Sequence, residues 1–183
     1  MRVFFDTEFT GLRRDTTLVS IGMVAEDGKT LYAELADYER AQCDDWIEKN
    51  VIAHLEYNGD SFCMNDGNGN TRVYGSMDEV REAISTWVSQ YDDVQLVSDV
   101  CHYDMVLFID LFGDAFSLPR NVCASCHDIN QDIAKHFNVS EREAFDMSRE
   151  GILEASGVVI GGHKHNALHD AKAIREIFNI VCQ

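Results

Sequence analysis

The chain has 183 residues, 45% of them hydrophobic and 26% charged, which suits a single globular domain over residues 1–183 with its own core. The net charge is −17, from 32 acidic and 15 basic residues, and this argues against a non-specific duplex binder, which needs a basic surface. It leaves open an enzyme that grips a few nucleotides through metal ions.

Val3 to Phe9 predicts a buried strand, rich in β-branched and aromatic residues but interrupted by Asp6 and Glu8. Arg13-Arg14-Asp15 reads as a turn, Thr17 to Ala25 as a nearly continuous apolar strand, and Asp27-Gly28 as a hairpin leading into a third strand to Leu35. Asp37 to Tyr57 predicts a helix, on the spacing of Trp46, Ile47, Val51 and Leu55. Asn58 to Gly75 holds much of the Gly and Asn, and Asn65 to Asn70 within it reads as loop or irregular hairpin; Asp66 lacks the spacing and terminal Glu of a calcium loop. Ser76 with Glu79 forms a capping box that opens a helix carrying Val80, Ala83, Ile84, Trp87 and Val88 on one face. Val94 to Val97 is a short buried strand, and Asp104 to Phe112 an apolar helix ended by Gly113. Asp128 to Phe137 and Asn166 to Val181 predict two further helices, with a second capping box at Ser140 and Glu143. Three strands followed by helices alternating with strand imply an α/β fold, a mixed central sheet flanked by helices.

No apolar run is long enough to span a bilayer. Arg2 is followed by only three apolar residues before Asp6, so a signal-peptide layout is lacking and a cytoplasmic protein is expected. The six cysteines are then expected to be reduced. Cys123-Ala124-Ser125-Cys126-His127 matches the c-type haem attachment pattern, but that chemistry requires export, and no second CxxC completes a zinc site. A loop running into the Asp128 helix is the preferred reading.

Three places put acids where core or an element end is expected. Asp6 and Glu8 point to one side of their strand, about 7 Å apart, where they repel and lose hydration; a divalent cation compensates directly. Asp104 opens an apolar helix, where a capping role is the plain alternative, and Asp99 is its rival in the same stretch. His165 precedes Asp170 by five residues, behind the flexible pair Gly161-Gly162. A histidine near a helix start is more often a cap or surface residue than a base. The joint occurrence of the three places carries more weight than any one.

Asp6-Thr7-Glu8-Phe9-Thr10-Gly11 resembles the first motif of DnaQ-like 3′–5′ exonucleases, Tyr103-Asp104 the end of the second, and His165-Asn166-Ala167-Leu168-His169-Asp170-Ala171 the third in its histidine-bearing (DEDDh) form. The opening residues and the following LVSIGMVAEDG look more like the small bacterial exoribonuclease branch typified by a mycobacterial RNase. The second motif departs from the family: Ser98-Asp99-Val100-Cys101-His102 lacks the usual Asn ahead of the acid, so Asp99 and Asp104 both stand, with Asp104 preferred and Asp99→Asn expected to be mild.

The resemblance implies a ribonuclease H-like fold and two Mg²⁺ or Mn²⁺ ions held by Asp6, Glu8, Asp104 and Asp170, with Asp6 bridging and His165 the general base. Such a pair of ions serves the attacking and leaving oxygens of phosphodiester hydrolysis. Thr7, Phe9, Leu12 and Lys164 are the candidate substrate-binding residues, Leu12 and Phe9 by stacking on a base and Lys164 by reaching a phosphate. The expected partners are single-stranded RNA or DNA 3′ ends, RNA favoured, and a homodimer is compatible with the sequence. An exodeoxyribonuclease of the same fold and a non-catalytic acidic interaction protein are the rivals.

Overall fold

The computed structural model describes residues 1–182. Its strands are β1 (Arg2–Phe9), β2 (Leu18–Ala25), β3 (Thr30–Leu35), β4 (Phe62–Asn65), β5 (Thr71–Gly75), β6 (Val94–Ser98) and β7 (Val122–Asp128). The helices are α1 (Asp45–Asn50), α2 (Met77–Val88), α3 (Cys101–Leu111), α4 (Ile129–Phe137), α5 (Glu141–Asp146), α6 (Arg149–Ala155) and α7 (Ala167–Val181). One mixed sheet runs in the order β4-β5-β3-β2-β1-β6-β7. β1, β2 and β3 form the expected antiparallel meander, while β6 pairs parallel to β1 and β7 parallel to β6.

Strand alternation sends successive side chains of β1 to opposite layers. Val3 and Phe5 join Ile84, Trp87, Phe108 and Leu111 of α2 and α3 on one face. Phe4 joins Val97, Ile129, Ile133, Ile174 and Ile177, from β6, α4 and α7, on the other. Asp6 and Glu8 continue the α7-facing register beyond the apolar run, at the carboxyl end of β1. The carboxyl ends of β1, β6 and β7 lie side by side, the position where open α/β sheets place their ligands.

Three expectations are corrected. Asp37 to Tyr57 is not one helix: α1 has only six residues, flanked by 3₁₀ turns at Arg40–Gln42 and Ile52–His54. Ile47 and Val51 pack on Val19, but Trp46 faces out, 53% exposed. The Asn65–Asn70 segment is, as expected, the turn of a hairpin, β4–β5, closed by Asp66 Oδ1 accepting from the Asn68 and Asn70 N–H groups. β5 also pairs parallel to β3, which extends the sheet. The CxxCH run is no loop but the body of β7, an edge strand. The pairing with β6 shifts register between Val122 and Cys126, and Cys126 Sγ packs on Cys101 Sγ at 3.2 Å. All six cysteines are free. Finally, α3 begins at Cys101, so Asp104 sits within its first turn rather than opening it.

Gly22 fixes α7 to the sheet. A Cβ there would lie 2.3 Å from the carbonyl of Ala167 and from Leu168 N, both backbone atoms that cannot swing aside. Gly22 is the partner of Asp6 across the β1–β2 ladder, so the same contact delivers the start of α7 to Asp6. Gly22→Ala is therefore expected to cost roughly 1–3 kcal/mol by overpacking, or more if the helix cannot shift. Thermal melting checks the first effect, and loss of divalent-cation binding checks the displacement of Asp170.

Candidate active site

The site is a cleft of about 640 Å³ at those carboxyl ends, lined by Asp6, Glu8, Asp99, Asp104, His165 and Asp170 among others. Each arrives for a local reason. β1 supplies Asp6 and Glu8, and its register shifts between Glu8 and Phe9, where the β1–β2 ladder turns irregular. The turn from β6 to α3 supplies Asp99, and the first turn of α3 supplies Asp104. α7 supplies Asp170 one turn beyond its cap, Asn166, whose Oδ1 accepts the His169 N–H at 3.1 Å. The Asn166 amide also donates to the Tyr32 hydroxyl at 3.2 Å, tying the cap to β3.

His165 has a φ of +63°, a left-handed conformation unusual for a residue with a side chain. That conformation turns its N–H onto Asp170 Oδ2 at 2.9 Å, and its ring Nδ1 lies 3.9 Å from Glu8 Oε1. The edge of its ring packs against Trp46, with centroids 5.1 Å apart.

Ligand-capable atoms fall in two groups, each with all members within 4.8 Å of one another: Glu8, His165 and Asp170, and Asp6, Asp99 and Asp104. Asp104 is 1% exposed, and Thr7 donates to its Oδ1 twice, from the backbone N–H at 3.2 Å and the hydroxyl at 2.5 Å. The Ser98 hydroxyl donates to its Oδ2. Asp6 Oδ2 is buried without any hydrogen-bond partner. An orphaned carboxylate oxygen beside further acids fits an oxygen-seeking divalent cation of the Mg²⁺ or Mn²⁺ type.

Burial followed by mutual repulsion shifts the acids upward. Asp6 lies well above the usual carboxylate range, first through burial and then through Asp104, Asp170 and Glu8. Glu8 is pushed up to about 8 by burial, with Asp170 and Asp104 adding to it. Burial takes Asp104 to about 7 against the opposing hydrogen bonds of Ser98 and Thr7. It takes Asp170 to about 7 against the His165 N–H. His165 is lowered by burial and then by Lys164, which keeps its ring neutral and able to accept a proton at pH 7.

These shifts have a stability consequence. Between the unfolded carboxylate values near 4 and the folded values of about 7 to 8, the folded state holds more protons than the unfolded one. The metal-free protein is therefore expected to lose stability as pH rises through that window. Melting in EDTA should show the midpoint falling from pH 5 to pH 8, with Mg²⁺ or Mn²⁺ restoring it most at the alkaline end. A midpoint indifferent to both would show that the acids are not strained.

The four candidate substrate residues all line the cleft. Leu12 is 78% exposed at its mouth. Phe9 stacks on Tyr103 with centroids 5.1 Å apart, and part of it packs on the core. The Thr7 hydroxyl is already given to Asp104, and Lys164 Nζ pairs with Glu150 at 3.1 Å. Of the second-motif rivals, the structure brings both Asp99 and Asp104 to the cleft. Trp46 and Arg149 were not anticipated. Arg149 Nε pairs with Asp99 Oδ2 at 2.8 Å, and its two terminal nitrogens reach Asn130 Oδ1 and the carbonyls of Ala144 and Met147. The contacts with Asp99 and Asn130 cross long stretches of chain, and no local spacing announces them.

A family model described as the 3′–5′ exoribonuclease Rv2179c-like domain matches residues 1–182. The 3′–5′ exoribonuclease Rv2179c of Mycobacterium tuberculosis is 26% identical over 133 residues, 72% of this chain and 73% of that protein. Among solved structures, the nuclease domain of 3′hExo, a DEDDh family member bound to rAMP, superposes with a TM-score of 0.63 at 16% identity, covering 96% of this chain and 88% of that one. The Mg²⁺- and Mn²⁺-bound form of S. pombe Pop2p gives 0.60 at 13% identity, covering 97% and 81%. At these identities the superpositions show the ribonuclease H-like fold.

Proposed function

The chain belongs to the Rv2179c-like 3′–5′ exoribonuclease domain family, and from that premise we propose that the cleft hydrolyses the terminal phosphodiester of single-stranded or 3′-overhanging RNA, releasing nucleoside 5′-monophosphates with two Mg²⁺ or Mn²⁺ ions. The observation that carries this reading is the orphaned, buried Asp6 Oδ2 in a cleft whose acids outnumber its bases. The basic side chains lining that cleft, Arg149 and Lys164, are each paired with an acid. A phosphodiester entering such a cleft meets negative charge unless cations come between.

Asp6, Glu8, Asp104 and Asp170 would hold the ions, Asp6 and Asp104 from one group of ligand atoms and Glu8 and Asp170 from the other. The ions, when bound, neutralise charge on the scissile phosphate and lower the pKa of a bound water. Thr7 and Ser98 oppose the rise that burial imposes on Asp104 and keep its carboxylate aimed. Asp170 holds the backbone of His165, so that its neutral imidazole can take the proton from the attacking water. Leu12 and Phe9 offer an apolar seat for the terminal base.

RNA is favoured over DNA on the names of the family and of the tuberculosis relative. The test uses 5′-labelled RNA and DNA of one sequence, each with a free or a blocked 3′ end, in Mg²⁺, Mn²⁺ or EDTA. The reading predicts a ladder shortening by single nucleotides from a free RNA 3′ end, absent in EDTA and slower on DNA. Faster shortening of DNA supports the deoxyribonuclease alternative. No shortening of either leaves the acidic interaction protein.

A further inference from the structure

We propose that Asp99 is a fifth carboxylate of the cation site, binding metal beside Asp6 and supplementing Asp104, whose hydrogen-bonding capacity is largely taken. The proposal rests on the metal-dependent reading above. A carboxylate offers about four lone-pair positions. Three hydrogen bonds already reach Asp104, from the Thr7 N–H, the Thr7 hydroxyl and the Ser98 hydroxyl, and the side chain is sealed from solvent. Asp99 accepts one side-chain bond, from Arg149 Nε, and lines the same cleft. Its carboxylate lies within 4.8 Å of the ligand atoms of both Asp6 and Asp104. The buried Asp6 Oδ2 beside it has no partner. On hydrogen-bonding capacity, Asp99 is freer than Asp104 to meet a cation beside Asp6.

The surroundings fix Asp99 as a built ligand is fixed. Arg149 staples its carboxylate to Asn130, and the Asn130 amide in turn donates to the Asp99 carbonyl at 2.7 Å. Outer partners of this kind orient metal ligands and are costly to lose. The bland alternative is that Asp99 serves only as the ion-pair partner of Arg149. The two readings differ in what happens when Arg149 is removed and Asp99 kept.

The experiment is calorimetric titration of Mn²⁺ into the full chain, as wild type, Asp99→Asn, Arg149→Met, Asp99→Asn/Arg149→Met and Asp6→Asn, with circular dichroism of each. Asp99→Asn is expected to weaken Mn²⁺ binding by at least the roughly 10- to 100-fold typical of losing an outer partner. Arg149→Met should lose thermal stability and weaken Mn²⁺ binding clearly less than Asp99→Asn does, because the carboxylate remains although its outer partner is gone. The double variant leaves no unpaired charge and carries the test if the single Asp99 variant does not fold; it should bind as weakly as Asp99→Asn. Wild-type affinity in the Asp99 variants, or an equal loss in Arg149→Met, overturns the proposal. If that happens while Asp6→Asn binds poorly, the metal reading survives without Asp99. If Asp6→Asn also binds as wild type, the metal reading falls and takes the proposal with it.

Discussion

Asp6→Ala is expected to abolish turnover, and it should do so while making the metal-free protein more stable. Asp6 belongs to the group of ligand atoms with Asp99 and Asp104, and the charges of Asp170 and Glu8 act on it as well. Removing it takes away the carboxylate expected to bridge the cations. It also relieves the repulsion that raises its neighbours, so the melting midpoint in EDTA at pH 8 should rise. Added Mg²⁺ should then stabilise the variant less than it stabilises the wild type. Few substitutions at buried sites stabilise, so this paired signature separates a metal site from ordinary core. Full activity with normal Mg²⁺ dependence in Asp6→Ala would remove the basis of the site assignment.

His165→Ala should lose about 10²- to 10⁴-fold in kcat, the usual contribution of a general base. It should still bind an RNA 3′ end in Ca²⁺, because the carboxylates remain. Raising the pH should partly rescue it, since hydroxide needs no base, whereas the wild-type rate should rise with the deprotonation of a histidine held below its ordinary value. His165→Asn should behave alike, because an amide cannot accept the proton. The neighbouring histidines are the controls. His163 stacks on His54 with centroids 5.8 Å apart, and the His169 ring meets the Gly161 carbonyl at 3.2 Å. His163→Ala and His169→Ala are expected to keep most of kcat. If either is dead while His165→Ala turns over normally, the base has been misassigned.

The acids of this site were legible because the signals that place them are local. Alternation along Val3–Glu8 puts Asp6 and Glu8 on one face, and the stripe of α7 puts Asp170 beside the core. The helix α2 was legible for the same reason, with its capping box at Ser76 and its buried face at Val80, Ala83, Ile84, Trp87 and Val88. What escaped depends on distant chain. β5 is short and gains its place by pairing with β3 on one side and β4 on the other. β7 has no apolar alternation because most of its side chains are exposed or half-buried at a sheet edge, so CASCHD looks like loop. Trp46 shared the spacing of buried Ile47 and Val51 but turned toward His165, a contact that only the finished fold creates. The choice between Asp99 and Asp104 was open in the sequence because six residues hold both. The structure brings both to one cleft and distinguishes them by their hydrogen bonds, not by their presence.

The central claim is that these carboxylates hold the ions that meet the phosphate. Crystals of the protein grown with Mn²⁺ and adenosine 5′-monophosphate would test it by anomalous scattering. The account predicts two peaks about 4 Å apart, one against Glu8 and Asp170 and one on the Asp99–Asp104 side, with Asp6 touching both and the nucleotide phosphate bridging them. Peaks elsewhere, or a nucleotide bound with no metal at Asp6, would contradict it.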